Sequence, residues 1–247
     1  MIYLIKRGKS YSYSNICFKN KKDLFYSFNI NLGKKILFSK KDKINYKLTV
    51  EQEEALIEIM LGDGYLERAK PTHTTRLCIE QAYPEKENYL LSLFDLFKPL
   101  VISEPKVIVR KADKRTGKIY KSIAFKTSTM ECLNKYHDLF YKDKIKIVPK
   151  NIHELLTARG LAYWIMDDGS KIFYNQTILH TRAFTKEEVI LLQKALKIKF
   201  KLITRIEKKG KNGNIQWVIV IPLKQEIPLR EIVKSYMCDS MLYKINA

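Results

Sequence analysis

Two acidic residues stand where a helix should favour cations. In ALIEIMLGDGYL, residues 55–66, and again in GLAYWIMDDGSK, residues 160–171, an apolar run ends on Asp-Gly, at Asp63-Gly64 and Asp168-Gly169. The last turn of a helix exposes unpaired carbonyls worth about −0.5 charge, so a carboxylate there is repelled unless a cation joins it. If the two runs pack side by side, Asp63 and Asp168 meet together with the carbonyls of Gly62 and Asp167. That set is all oxygen and doubly anionic, suited to Mg²⁺ or Ca²⁺ and unsuited to zinc. Gly64 and Gly169 are expected to allow a left-handed or tight exit from helix to strand.

The elements that must place these acids recur in order. TVEQ, residues 49–52, is a capping box: Thr49 caps the backbone, Gln52 reaches back, and Glu51, Glu53 and Glu54 suit a helix N-terminus. The spacing predicts a helix from there to about Leu61, apolar around most of its circumference and broken only by Glu58. Strand-like segments 65–68 and 76–81, an amphipathic helix over 85–97, strands 106–111 and 119–126 about the turn RTGK, and a helix near 130–141 follow. The second copy runs TARGLAYWIMDDG, strands 171–174 and 177–182, helix 186–200, strands 202–208 and 215–221 about KGKNGN, and a helix around 229–237. Asp63 against Asp168 gives an offset of 168 − 63 = 105, Gln81 against Arg182 gives 182 − 81 = 101, and Lys146 against Lys244 gives 244 − 146 = 98. Three ordered matches with slowly drifting offsets mean two copies of one αββαββα unit. The expected fold is α+β: two pseudo-symmetric repeats packed through the two acid-ending helices, over residues 48–150 and 151–247.

Composition says what surrounds them. The chain has 46 Lys+Arg against 26 Asp+Glu, a formal +20, which suits a polyanionic partner. Apolar runs fall short of the ~18 residues of a membrane span, which favours nucleic acid over a bilayer. Residues 1–47 alone carry 12 Lys/Arg and 2 Asp, and read as a basic arm with little core of its own. Cys17, Cys78, Cys132 and Cys238 lack zinc spacing and read as reduced thiols. No secretory signal is expected. Lysines outnumber arginines 37 to 9, and Ile, Asn, Tyr and Phe abound, a bias toward AT-rich codons that suggests an organellar or otherwise AT-rich gene; the expected location is an organelle, mitochondrion before chloroplast.

LIEIMLGDG, residues 56–64, and LAYWIMDDG, residues 161–169, resemble the LAGLIDADG homing endonucleases, in the single-chain branch with two motifs. Both keep the first Leu, an aliphatic fifth residue and the closing Asp-Gly, and the second keeps Ala162. Ile57 and Glu58 stand in place of small residues in the first copy, and Tyr163 in the second. The resemblance covers roughly residues 49–246. It implies hydrolysis of both strands of duplex DNA at a long, nearly asymmetric site by a monomer, with Mg²⁺ held by Asp63 and Asp168 and Ca²⁺ as a non-cleaving substitute. It also implies a polar residue on the strand after each motif, Gln81 in the first copy and Arg182 in the second, with Glu80 the alternative if the register slips by one. A basic residue near each site is implied as well, at Lys146 and Lys244.

Eight twisted antiparallel strands would form a saddle whose ribbons enter the major groove. Residues alternating along them are the expected DNA contacts: Tyr65, Glu67, Arg76, Arg110, Lys121, Lys171, Phe173, His180, Arg205 and Trp217. The turns KADKRTGK and KKGKNGN are expected to hold phosphates. An intron-splicing maturase that binds RNA on the same fold without cleaving is the alternative. Retention of both acids and both lysines favours cleavage. A DNA-binding regulator is disfavoured by the lack of a helix-turn-helix region, and an intein by the ending KINA.

Overall fold

The computed structural model describes residues 38–172, 176–210 and 215–246. The fold is α+β, and its organisation follows from the two motif helices. Helix α2, Val50–Ile59, starts on the capping box: Gln52 N donates to Thr49 Oγ1 (3.2 Å) and Thr49 N donates to Gln52 Oε1 (3.1 Å). Helix α6, Ala158–Asp168, is capped by Thr157 Oγ1, which accepts from Gly160 N at 3.0 Å. The two lie along each other. Ala55, Leu56, Ile59 and Met60 on one, and Leu161, Ala162, Trp164 and Ile165 on the other, are at most 1% exposed. Full burial of such a side chain contributes about 1.5–3 kcal/mol, so this seam anchors both halves.

Upstream, the short helix α1, Lys40–Asn45, is capped by Ser39, and Phe38, Tyr46 and Leu48 pack against the core. Residues 38–47 therefore belong with the first repeat, not with a separate basic arm, because these aromatic and aliphatic side chains have apolar surface to bury. Residues 1–37 lie outside the described residues.

In the first repeat, β1 (Tyr65–Glu67), β2 (Arg76–Ala82), helix α3 (Glu87–Phe97), β3 (Lys106–Val109), β4 (Lys121–Lys126) and helix α4 (Asn134–Phe140) follow α2. A small hairpin, β5 (Tyr141–Lys142) with β6 (Ile145–Lys146), and helix α5 (Ile152–Leu155) lead to α6. The second repeat then runs β7 (Gly169–Ile172), β8 (Gln176–Leu179), α7 (Lys186–Phe200), β9 (Arg205–Lys209), β10 (Gln216–Ile221) and α8 (Glu226–Val233). Each repeat holds one four-stranded antiparallel sheet, ordered β1-β2-β4-β3 and β7-β8-β10-β9. The linker is fastened to the second repeat, since Val148 N donates to Glu188 Oε1 at 3.0 Å.

Strand ladders correct the repeat alignment. Tyr65 pairs with Cys78, and Ser170, its counterpart at an offset of 170 − 65 = 105, pairs with Ile178. The second strands are therefore offset by 178 − 78 = 100, so Gln81 corresponds to Thr181 and not to Arg182. Arg182 is exposed in the turn after β8.

Glu58 explains how a large acid fits a seam between helices. It is fully buried, its Oε1 accepts from Thr157 N at 3.2 Å, and its carboxyl fills the space beside Gly160, where a Cβ would collide with it. Burial holds this carboxyl well above the ordinary glutamate value, with Glu54 adding repulsion, and its Oε2 has no hydrogen-bond partner among the described residues. Because the folded value is raised, the stability Glu58 contributes is complete below the unfolded pKa and declines as pH rises through the folded one, by at most about 1.4 kcal/mol per pH unit. Glu58→Gln keeps an acceptor for Thr157 and removes that decline. Urea unfolding at pH 5 and pH 8 should show the variant gaining on the wild type at the higher pH; parallel behaviour would refute a buried neutral acid.

Candidate active site

The two motif helices end differently. Helix α2 stops at Ile59 and unwinds through Gly62 N to Glu58 O and Ile59 O, then Gly64 N to Ile59 O. Helix α6 remains helical through Asp168. Neither Gly64 nor Gly169 takes the left-handed conformation; Gly169 sits at φ −78°. Their role is close approach: a Cβ on Gly64 would collide with Ile59, and one on Gly169 with the Ile165 backbone.

At this junction, the side chain of Asp167 was missed by the sequence reading, which used only its carbonyl. It is 3% exposed; Oδ2 accepts from Asp63 N at 2.5 Å, and Oδ1 accepts from Gln81 Nε2 in a short contact. It fits because the facing residue is Gly62, where a Cβ would run into this carboxylate. Gln81 thus faces the motif helices, while Glu80 points to the opposite face of the sheet, held by Ser122 and Arg110. Thr181, the counterpart of Gln81, instead donates its hydroxyl to Trp217 O at 2.9 Å.

Three acids, Asp63, Asp167 and Asp168, therefore lie within electrostatic reach of one another at the helix ends. Burial, then the Asp63 charge, pushes Asp167 up to about 6. Burial, then Asp167 and Asp63, pushes Asp168 up to about 7. Asp63 is the open member, its side chain 45% exposed.

Three lysines answer this charge. Lys146 Nζ donates to Gly62 O (2.8 Å) and Gly64 O (2.7 Å). Lys244, in the 3-10 segment Asp239–Ile245, donates to Met166 O (2.6 Å) and Ile165 O (3.1 Å). Each places an ammonium on carbonyls at or just past a helix end, where the helix dipole favours a cation. Burial lowers both ammonium groups to about 8. The third, Lys86, was not anticipated: its Nζ donates to Asp167 O at 2.7 Å and reaches Asp63 Oδ2 at 3.4 Å. It stands at the entry to α3, five residues beyond Gln81, a signal lost among 37 lysines.

The structure sorts the expected DNA contacts by face. In the first sheet, Leu77, Ile79, Ile123 and Phe125 point into the core, so the residues between them form the outer face. Tyr65, Glu67, Arg76 and Arg110 are there. Arg76 grips Glu67 through two bonds (2.8 and 3.0 Å), and this pair holds the Glu67 carboxyl down to about 2. Lys121 is not on that face: it alternates with Ile123 and Phe125 on the core side, and Lys126, opposite Cys78, takes the outer position. In the second sheet Leu179, Ile219 and Ile221 face the core, while Ile172, Ile178, Val218 and Val220 form a separate apolar cluster on the other face. Lys171 and Trp217 consequently lie on the core side. Lys171 bonds Thr177 Oγ1 and pairs with buried Glu226, and Trp217 packs on the core under the Lys186 ammonium. Arg205 and His180 stay on the outer face; Arg205 bonds Glu207 and Gln176, and His180 Nε2 lies 2.7 Å from Ser170 Oγ. Phe173 and the tip of KKGKNGN, residues 211–214, lie outside the described residues.

Among the described residues, no three His, Cys, Asp or Glu side chains converge into a ready metal cage. The donors nevertheless fit a hard divalent ion: surplus carboxylate charge beside backbone carbonyls, with one acid open. Mg²⁺ is ordinarily held by one or two carboxylates completed by water and substrate phosphate oxygens.

Paired acids at the ends of two packed helices, beneath two four-stranded sheets, define a single-chain, two-motif nuclease-type scaffold. The chain belongs to the LAGLIDADG DNA endonuclease family, whose model matches residues 53–226. It is similar to DNA endonuclease I-ChuI of Chlamydomonas applanata, 29% identical over 81% of this chain and 96% of that one. It is also similar to the probable intron-encoded endonuclease 1 of Wickerhamomyces canadensis, 34% identical over 92% and 95%. The cytochrome b mRNA maturase bI2 of Saccharomyces cerevisiae is 32% identical over 96% of this chain and 55% of its own length. Among solved structures, the homing endonuclease I-WcaI bound to its DNA recognition sequence superimposes with a TM-score of 0.75 at 32% identity, covering 92% of this chain and 97% of that one.

Proposed function

We propose that the chain is a site-specific endonuclease, encoded in an organellar intron, that cuts both strands of a long, nearly asymmetric duplex site as a monomer with Mg²⁺. The observation carrying this reading is the electrostatic crowding of Asp63, Asp167 and Asp168 where both motif helices end. A metal-free binding protein has no use for three crowded acids beside a polyanion. The relative solved on its DNA recognition sequence, similar over nearly the whole chain, supports it. Asp63 and Asp168, with the carbonyls of Gly62 and Asp167 once their lysines give way, would hold a divalent cation, which would supply a water nucleophile at neutral pH and charge stabilisation on the attacking and leaving oxygens.

The chain's own residues do the placing. Asp167 and Gln81 fix the Asp63 backbone; Lys146 and Lys244 hold the two helix ends from below. The outer faces of the sheets, through Tyr65, Arg76, Arg110, Lys126, His180 and Arg205, bind the duplex. The two halves are unequal, Gln81 against Thr181 and Lys86 against Thr185, so the two strands are cut at different rates.

The test is incubation with a library of duplex sites in Mg²⁺ and then in Ca²⁺: double-strand cuts appear in Mg²⁺, and binding without cutting in Ca²⁺. A second reading, an RNA-binding splicing maturase, is favoured by the similarity to the yeast maturase. Tight binding of the host intron RNA with no cutting of any duplex would select it. On the DNA reading, affinity falls steeply with salt, and Lys126→Ala lowers the slope of log K against log salt by about 1. Lys121→Ala leaves that slope unchanged; a reversed pair of results would overturn the assignment of faces.

A further inference from the structure

Lys86 holds a donor pair that the preceding reading offers to a metal. Its ammonium bonds the Asp167 carbonyl at 2.7 Å and lies 3.4 Å from Asp63 Oδ2, one carbonyl and one carboxylate contributed by different repeats. An ammonium is a compact point charge with three donors on a flexible stem, so it can fill a cation position and also leave it. The Lys86 side chain is 21% exposed, which gives it a way out. Among the described residues, no ammonium bridges the matching pair, the Gly62 carbonyl and the Asp168 carboxylate: Lys146 bonds Gly62 O and Gly64 O only. At the helix entry the counterpart of Lys86 is the N-cap Thr185, and the ammonium of the next residue, Lys186, lies 4.8 Å from the centre of the Trp217 ring.

We propose that Lys86 is a resident counter-cation, which holds Asp63 and the end of α6 together before metal arrives and must withdraw when a divalent ion takes the same oxygens. The inference rests on the metal-dependent reading above. It makes the two halves of the site unequal in loading: oxygens on the Asp168 side are reached without displacing a side chain, and those shared by Asp63 and the Asp167 carbonyl are not. An incoming phosphodiester offers the withdrawn ammonium a new partner, so metal loading and DNA arrival assist each other at this half.

Thermal unfolding of the full chain at pH 8, in EDTA and across a Ca²⁺ series, with calorimetric Ca²⁺ titration, tests this. Lys86→Met should lower the metal-free Tm by several degrees, as the acids lose their counter-charge, and Ca²⁺ should restore it. The variant's Ca²⁺ affinity should rise about ten-fold, while Lys86→Arg stays within about two-fold of wild type and Lys186→Met leaves affinity unchanged. A Ca²⁺ response that depends on Asp63 but is no tighter in Lys86→Met overturns the inference alone. Equal Ca²⁺ responses in wild type and Asp63→Asn overturn the metal assignment, and this inference with it.

Discussion

Asp63→Asn and Asp168→Asn should each abolish double-strand cleavage while leaving duplex binding within a few-fold of wild type. Asparagine keeps the size and one acceptor oxygen but removes the charge that holds a divalent cation against phosphate. Metal-ion stabilisation of a developing oxyanion is worth several kcal/mol, and about 4 kcal/mol is a thousand-fold in rate. Losses on that order are expected in single-turnover cleavage of a cognate duplex. Asp168→Asn also removes repulsion from a crowded, partly buried acid, so its Tm should not fall. Asp63 is open to solvent, and its replacement should leave Tm nearly unchanged. Cutting that persists in either variant would remove that residue from the site. Binding lost together with cutting would mean that the acid shapes the groove.

Gly62→Ala should damage both stability and cleavage. The added carbon falls on the Asp167 carboxylate, which cannot back away without losing both Asp63 N and Gln81. Overpacking costs about 1–3 kcal/mol, and each buried polar group left unpaired about 1–3 kcal/mol more. For a domain of this size every 1 kcal/mol is roughly 2–4 °C, so a fall of some 5–15 °C is expected, with cleavage reduced at least a hundred-fold. The double variant Gly62→Ala, Asp167→Ala removes the collision and should recover most of the lost Tm without recovering cleavage. If the double variant is no more stable than Gly62→Ala alone, the two residues do not compete for one space.

Helix starts were legible in the sequence because capping is local: Thr49 with Gln52, and Thr185 before the helix Lys186–Phe200, lie where their side chains dictate. The acids at the helix ends were legible because an electrostatic oddity occurred twice in one repeat. The faces of the second sheet were not. Alternation tells inside from outside only when one face is polar, and there Ile172, Ile178, Val218 and Val220 make the outer face apolar too. Lys171 and Trp217, their neighbours in sequence, were therefore assigned to the wrong side. Arg182 was misplaced by one residue because the repeat offset changes from 105 at the helix end to 100 along the next strand, and only pairing partners reveal where it changes. Lys86 was hidden by numbers, since one lysine in 37 becomes distinctive only when its ammonium is seen between two repeats.

Gly62 facing Asp167 also bears on ancestry. The two positions are equivalents across the pseudo-twofold axis, and in a true homodimer each such position meets its own copy. Two glycines there would leave a hole, and two aspartates would force buried like charges together. The present contact pairs a glycine with an aspartate, so at this point of the seam the two halves are complementary rather than equivalent.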